Sequence, residues 1–306
     1  MLRYVMARLA QAIPVIVATT LLTFMLLEVV PGDPIALMMR EHIDADVVAR
    51  VRKEMRLDDP WAVRYVRYMW DALHGDFGTS YKIHRSVSDL LVDAFPKTLA
   101  LTLAALIFAW GIGIPAGIVG ALKHYSAPDY LVTLFSLIGV SVPVFWSGLI
   151  FQLIFGWKLG LLPISGYGGI VFLIMPGIVL GWSSAAVISR LMRSSLLEVL
   201  GSDFVRTARA KGLTEWAVVF RHALKNSLLP VVTIMAIQVA DLLTGAVIVE
   251  SVFGIPGIGR VSVSAIMNRD VPLLQGSVML TVVLVVLGNL LADVSYAFLD
   301  PRIRYE

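Results

Sequence analysis

In a run of residues apolar enough to sit in hydrocarbon, Asp241 stands with Gln238 about one helical turn before it and Thr244 about one turn after. On a helix those spacings put a carboxylate, an amide and a hydroxyl on one face. A charge inside a bilayer is costly and is kept where it has a function. Two readings stand for this face: it lines a path for a polar solute, or its carboxylate is hydrogen-bonded between packed helices for assembly. Asn289 and Asp293 share a face of the last apolar run in the same way, and Asp293, nearer the end, reads as structural.

Covalent and metal chemistry find little support in the rest of the chain. The five histidines, at positions 42, 74, 84, 124 and 222, lack ligand spacing, and no HExxH pair occurs. With no cysteine, disulfides, thiolate metal sites and thiol catalysis are excluded. No GxxxxGK(S/T) loop is present to cradle the phosphates of ATP. The expectation is a conduit that binds no cofactor or metal; if ATP drives it, another chain hydrolyses the ATP.

Charge concentrates in one segment, Ser202 to Lys225, SDFVRTARAKGLTEWAVVFRHALK. Between Arg190 and Asn226 the cations Arg190, Arg193, Arg206, Arg209, Lys211, Arg221 and Lys225 face the acids Glu198, Asp203 and Glu215, a net +4 that places the loop on the cytoplasmic side. Val205, Ala208, Gly212, Trp216, Val219 and Ala223 recur at helical spacing and trace one apolar face, with Arg206, Arg209, Lys211 and Arg221 opposite. Ser202 is expected to cap a helix with Asp203 in its first turn. Gly212 then breaks the helix, and Thr214 and Glu215 restart it. Such a helix either lies on anionic headgroups or docks on a protein. Its narrow face, built partly of Ala and Gly, favours a protein groove.

The elements that must hold these residues follow from composition. Of 306 residues, 58% are hydrophobic and 15% charged, with a mean hydropathy of +0.82, which marks an integral membrane protein. The formal charge of +3 is spread over loops, so there is no basic stripe for nucleic acid. Charge-free runs at Leu9 to Leu27, Thr98 to Leu122, Tyr130 to Trp157, Leu159 to Ser189 and Val271 to Ala292, plus one from Ser227 interrupted by Asp241, predict six crossing helices. Pro163 to Gly169 is rich in turn formers, so the fourth crossing is expected to begin near Ile170. Gly111, Gly113, Pro115 and Gly117 in the second crossing, and Gly139, Pro143 and Gly148 in the third, predict kinks and close helix contacts.

Arg3 and Arg8 precede a first run without a cleavage pattern, so it is expected to remain as an anchor with its N-terminus inside. An even count puts both termini inside, with Lys123, Arg302 and Arg304 on the same side. The expected organisation is an anchor helix over 1–30, an outer helical cap over 31–96 and a five-helix core over 97–306 containing the loop 190–226. The cap opens with Pro31-Gly32-Asp33-Pro34 and shows Val47, Val51 and Met55, then Trp61, Tyr65 and Tyr68, at helical spacing. It reads as a lid over the helix ends or as a landing surface for an external partner.

Arg206-Thr207-Ala208-Arg209-Ala210-Lys211-Gly212 and His222 to Pro230, HALKNSLLP, resemble the membrane subunits of bacterial ATP-binding cassette importers of the dipeptide and oligopeptide class. Pro31 to Pro34, Gly75-Asp76-Phe77-Gly78, Glu250 to Phe253, Pro256-Gly257-Ile258-Gly259-Arg260 and Asp300-Pro301-Arg302 extend the resemblance over nearly the whole chain. Arg206, Thr207 and Lys225 depart from the wider family's Glu, Ala and Pro as the peptide branch does.

The resemblance implies an all-helical type I importer permease in the bacterial inner membrane. Asp203, Arg206 to Leu213 and Trp216 would form a coupling helix docked on a cytoplasmic ATPase. Phe253, Gly254, Pro256, Gly257 and Arg260 would gate the outer mouth or meet the binding protein, or are an ordinary Gly and Pro turn. The implied partners are a homologous second permease, two ATPase subunits holding ATP and Mg, and an extracytoplasmic solute-binding protein. A peptide is the implied cargo, with nickel complexes and glutathione as alternatives of the same branch. A proton-coupled secondary transporter is the competing class; it predicts repeated halves and several midplane ionisable groups, and one midplane carboxylate with no evident repeat is what the sequence offers.

Overall fold

The computed structural model describes residues 2–29 and 58–299, and among these it is helical, with one isolated bridge between Thr79 and Ser86. Helices α1 (Leu2–Val29), α2 (Trp61–Leu73), α3 (Val87–Leu122), α4 (Ala127–Ser141) and α5 (Val144–Phe151) are followed by a π-helical stretch, Gln152–Lys158. Then come α6 (Val171–Leu200), α7 (Asp203–Ala210), α8 (Glu215–Ala217), a second π-helical stretch (Val218–Ala223), α9 (Leu224–Phe253), α10 (Ile258–Asn268) and α11 (Val271–Leu299). Among the described residues five helical segments are long and apolar enough to cross a membrane: Met6–Leu27, Val87–Leu122, Val171–Leu200, Glu215–Phe253 and Val271–Leu291.

The third expected crossing is not one helix. Residues 127–141 and 144–158 pass the same test only as a pair, bent by 110°. The cause is local: Pro143 has no N–H to donate and drives Val142 to an extended conformation, φ −87° and ψ 128°, so α4 must stop there. The fourth crossing begins where the turn formers predicted, with Ile170 at the N-cap of α6.

The chain divides into two compact units. One holds residues 99–255 and the end of α11 from Leu287; the other holds Leu2–Thr98 with Pro256–Val286. In the first, Leu101, Leu106, Met175, Val179, Leu242, Val249 and Phe253 form one apolar core. Helices α3 and α6 touch backbone to backbone. A Cβ added at Gly117 would lie 2.6 Å from both the carbonyl oxygen of Ser189 and the Cβ of Met192, and one at Gly113 would lie 2.8 Å from the carbonyl of Ala185. These are the close contacts that small residues permit between membrane helices. A Cβ added at Gly111, by contrast, would meet no atom of the described residues within 4 Å.

In the second unit Val87, Leu91, Ala265 and Leu273 make the core, and the Ile258 amide donates to Thr98 Oγ1 at 2.8 Å. Its polar centre is Asp270, which is 1% exposed. The carboxylate accepts from Ser80 Oγ at 2.5 Å, the Tyr81 amide at 3.1 Å and the Lys82 amide at 3.2 Å, and from the Leu273 amide at 3.4 Å in the first turn of α11. One side chain thus caps a helix and holds a loop 190 residues away in sequence. Of the expected outer segment, Trp61, Tyr65 and Tyr68 fall on α2, and Gly75 to Gly78 form a turn with φ +80° at Gly75 and +79° at Gly78. Pro31 to Pro34, Val47, Val51, Met55, Asp300 to Arg302 and Arg304 lie outside the described residues.

Hydrogen bonds to a buried carboxylate are worth about 1.5–3 kcal/mol each. Asp270→Ala is therefore expected to speed amide exchange at Tyr81 and Lys82 by roughly 10- to 100-fold. Exchange unchanged from the parent would show that the loop is held by something else.

Candidate functional site

The charged segment is seated on the chain's own helices. Val205 and Ala208 of α7, and Val218 and Ala223 of the following π-helical stretch, are buried in one cluster with Met192 and Leu196 of α6 and Val231 of α9. Val219 is buried too. This corrects the sequence reading, in which Val205, Ala208, Gly212, Trp216, Val219 and Ala223 formed one partner-facing surface. Periodicity identifies an apolar face but not what covers it. Here most of that face is covered from within, and Gly212 and Trp216 are outside, Trp216 being 71% exposed. Its indole stacks on Phe220, ring centroids 5.3 Å apart, and Phe204 and Leu213 are exposed on the same segment.

The break falls at Gly212, whose φ of +77° belongs to the left-handed region that glycine enters without cost. A Cβ there would meet nothing within 4 Å, so the requirement is conformational and not steric. Across this turn Arg209 makes a bidentate pair with Glu215, Nε to Oε1 at 2.8 Å and an Nη to Oε2 at 3.2 Å. That pair raises the already high pKa of the Arg209 guanidinium. It also engages one of the four cations expected on the polar face, Arg206, Arg209, Lys211 and Arg221. Arg206 reaches Asp203 at 3.4 Å with both side chains largely exposed, Thr207 bonds back to the carbonyl of Asp203, and Ala210 and Lys211 are exposed at the end of α7.

Thr214 caps the restart as expected, its Oγ1 accepting the Ala217 amide at 3.4 Å. Ser202 occupies the N-cap of α7 but does not cap it with its side chain: its hydroxyl donates to the Val199 carbonyl at 2.5 Å instead. From Glu215 the chain then stays helical to Phe253, 39 residues, π-helical over Val218–Ala223 and with Pro230 inside the last stretch. The second half of the segment, from Glu215, and the fifth crossing are one rod.

A cluster that the sequence did not disclose sits beside it. Asp129, at the start of α4 and 3% exposed in its side chain, receives Arg193 of α6 in bidentate fashion at 2.6 and 2.8 Å. The same carboxylate accepts the Tyr125 amide at 3.0 Å and lies 3.1 Å from His124 Nδ1. The turn from α3 to α4 is thereby fastened to the end of α6. Separated by 64 residues, the partners give no local signal; the charge of Asp129 at the edge of an apolar run was the available clue.

The three residues placed on one face of α9 meet different surroundings. Gln238 is buried and its amide nitrogen donates to the Ser184 carbonyl at 3.2 Å, while its Oε1 has no partner among the described residues. Asp241 and Thr244 are exposed, Thr244 bonding back to the Ala240 carbonyl at 2.9 Å. Among the described residues Asp241 makes no hydrogen bond or ion pair, so it joins no two of the described helices. Asn289 is exposed, and the side chain of Asp293 lies outside the described residues.

At the far end of α9, Phe253 is 1% exposed and its carbonyl accepts the Gly166 amide at 2.7 Å. Gln152 bridges the Val252 and Ile164 carbonyls at 3.0 and 2.9 Å. Gly254 ends the helix with φ +68°. In the other unit Pro256 is exposed, Gly257 is the buried N-cap of α10, and Arg260 is exposed on its first turn.

The model of a family described as binding-protein-dependent transport system inner membrane component matches residues 113–305, and that of its N-terminal region matches residues 1–102. The chain belongs to this family. It is a permease component of the ATP-binding cassette importers, a multi-pass inner-membrane protein and not itself an ATPase. It is 39% identical to the dipeptide transport system permease protein DppB of Escherichia coli K12, 38% to the oligopeptide transport system permease protein AppB of Bacillus subtilis 168 and 40% to the glutathione transport system permease protein GsiC of Salmonella typhimurium LT2, each over 100% of both chains. Solved structures of the MetNI methionine ABC transporter in inward-facing conformations share the type I permease fold. They align with TM-scores of 0.57 and 0.58 at 20% and 21% identity, over 69% of this chain and 96% of theirs.

In this permease component the Asp129–Arg193 pair generates a direct prediction. Removing one partner of a buried pair costs about 3–5 kcal/mol, reduced here to about 2–4 because the Arg193 side chain is 26% exposed. Arg193→Ala should lower the melting temperature of the purified protein more than the double variant Asp129→Asn with Arg193→Gln. Equal losses would deny the pair its role.

Proposed function

We propose that this chain is the membrane conduit of an ATP-driven importer that takes up di- or oligopeptides, glutathione included, delivered by an extracytoplasmic solute-binding protein. It pairs with a homologous second permease, and two ATPase subunits that hold ATP and Mg engage its 190–226 loop. Both termini lie in the cytoplasm. The observation that carries the coupling role is the stacked, exposed Trp216–Phe220 pair at the start of the 39-residue helical rod. Large aromatics supply most of the energy of a small interface, and a rod seated in its own core passes a rigid-body displacement along its length.

Asp203, Arg206, Lys211 and Leu213 form the exposed rim of this docking surface, with Thr207, Ala208 and Ala210 as its helical frame and Arg209 as the clamp on the Gly212 turn. Asp241 and Thr244 face the translocation path or the second permease, because an unpaired carboxylate toward lipid is too costly. Gln238 holds the rod against α6 instead. Phe253 and Gly254, with Pro256, Gly257 and Arg260, belong to the outer gate and the binding-protein contact. The peptide cargo follows from relatives whose names specify dipeptides, oligopeptides and glutathione at similar identity.

In proteoliposomes containing the permeases, ATPases and binding protein, peptide uptake is expected to require ATP on the loop side. Uptake driven by a proton gradient without ATP would contradict the reading. Trp216→Ala should weaken ATPase binding by about 30-fold, the loss of roughly 2 kcal/mol typical of an interface anchor. Gly212→Val should insert normally but lose coupling, and Gly212→Asn should retain it, because Asn tolerates the left-handed region. Normal transport in the Val variant would rule out the docking model.

A further inference from the structure

Helix α2 presents three distinct arcs. Toward α1 it sends Tyr65, whose hydroxyl donates to the Val17 carbonyl at 3.0 Å and lies 2.9 Å from Thr20 Oγ1, with its ring edge-on to Phe24 at 5.6 Å. Met69 reaches Thr20 on the same side, Sδ to Oγ1 at 3.7 Å. A second arc, Arg64, Arg67, Tyr68 and Asp71, lines a cleft of about 400 Å³ and collects the polar groups of the helix. The third arc is wholly apolar and points away from the other described residues: Val63, Val66, Trp70 and Leu73, spaced 3, 4 and 3 residues apart, are 47%, 66%, 64% and 75% exposed.

The depth of this helix decides what covers the third arc. Val17, Thr20 and Phe24 all belong to the crossing run Met6–Leu27. At 1.5 Å per residue, Thr20 lies about 10 Å inside the end of that run and Phe24 about 5 Å. A helix standing in water above the membrane would reach α1 beyond Leu27, whereas α2 packs alongside the last turns of the span. Its apolar arc is therefore level with the exposed Leu22 and Leu26 of α1, which are 62% and 68% exposed. We propose that α2 is an interfacial helix, with Val63, Val66, Trp70 and Leu73 immersed in the acyl-chain boundary of the leaflet in which α1 ends. Its polar arc is wetted by the cleft. The lack of charge on the stripe, the cations confined to another arc and the indoles of Trp61 and Trp70 match the composition of helices that lie in a bilayer surface. On this reading the outer segment is anchored to lipid as well as to the chain, a property that does not depend on what the protein carries.

The absence of cysteine in the chain makes the test direct. Single cysteines at Val66 and Leu73, and at Arg67 and Asp71 on the polar arc, are spin-labelled in the protein reconstituted in liposomes, alone and with partner subunits lacking reactive cysteine. Ile107, 73% exposed on a crossing helix, serves as the lipid reference. Collision with oxygen is expected to exceed collision with a water-soluble nickel chelate several-fold at 66, 73 and 107, and to reverse at 67 and 71. Chelate access at 66 and 73 would put the stripe in water, and low collision with both agents would put it under protein; either overturns the proposal. Brominated lipids should also quench wild-type fluorescence more than that of Trp70→Phe, and equal quenching would count against it. None of these readouts requires transport or ATP hydrolysis, so they stand or fall separately from the importer reading.

Discussion

Burial of Val205, Ala208, Val218 and Ala223 against Met192, Leu196 and Val231 turns a charged loop into part of the membrane bundle. Without that contact α7 would be a short cationic helix tethered at both ends. Helices this short have little stability of their own and depend on tertiary packing. With it, α7 is packed on the start of the continuous helical segment Glu215–Phe253, and the aromatic pair Trp216–Phe220 is held at a fixed place on that segment. The bidentate Arg209–Glu215 pair then closes the turn at Gly212, the one point where the segment changes direction.

Two buried carboxylates solve a related problem at other joints. Asp129 is neutralised by the guanidinium of Arg193 and fixes the α3–α4 turn to α6. Asp270 is satisfied by hydroxyl and amide donors, and fixes the loop at residues 80–82 to the start of α11. A buried charge left without such partners would cost several kcal/mol, so each site is specific to one arrangement of its loop. Close backbone contacts at Gly113 and Gly117 complete the pattern: neighbouring helices are held by geometry and polar anchors, because lipid removes most of the hydrophobic drive between them.

Much of this was legible in the residues. Runs of apolar composition gave the crossings, turn formers before Ile170 gave the start of α6, and Gly212 with Thr214 gave the break and restart of the charged segment. What could not be read depends on contacts distant in sequence. Pro143 marked a kink in the third crossing, but its size, 110°, is not registered by hydropathy because both arms are apolar. Helical spacing grouped Trp216 with Val205 and Gln238 with Asp241, yet the fold buries one member of each pair and exposes the other. Ser202 has the composition of a cap, but the Val199 carbonyl competes successfully for its hydroxyl. Asp129 and Asp270 found partners 64 and 190 residues away, beyond any local pattern.

The central claim is that the charged segment and the fifth crossing helix form a single rigid element. A pair of spin labels at Phe204→Cys and Ile248→Cys, both exposed and near opposite ends of that element, measures it directly in the reconstituted transporter. The account predicts one narrow distance distribution that is the same in the nucleotide-free and ATP-trapped states. A nucleotide-dependent shift or a second population between these two positions would show that the segment moves on the helix, and would contradict it.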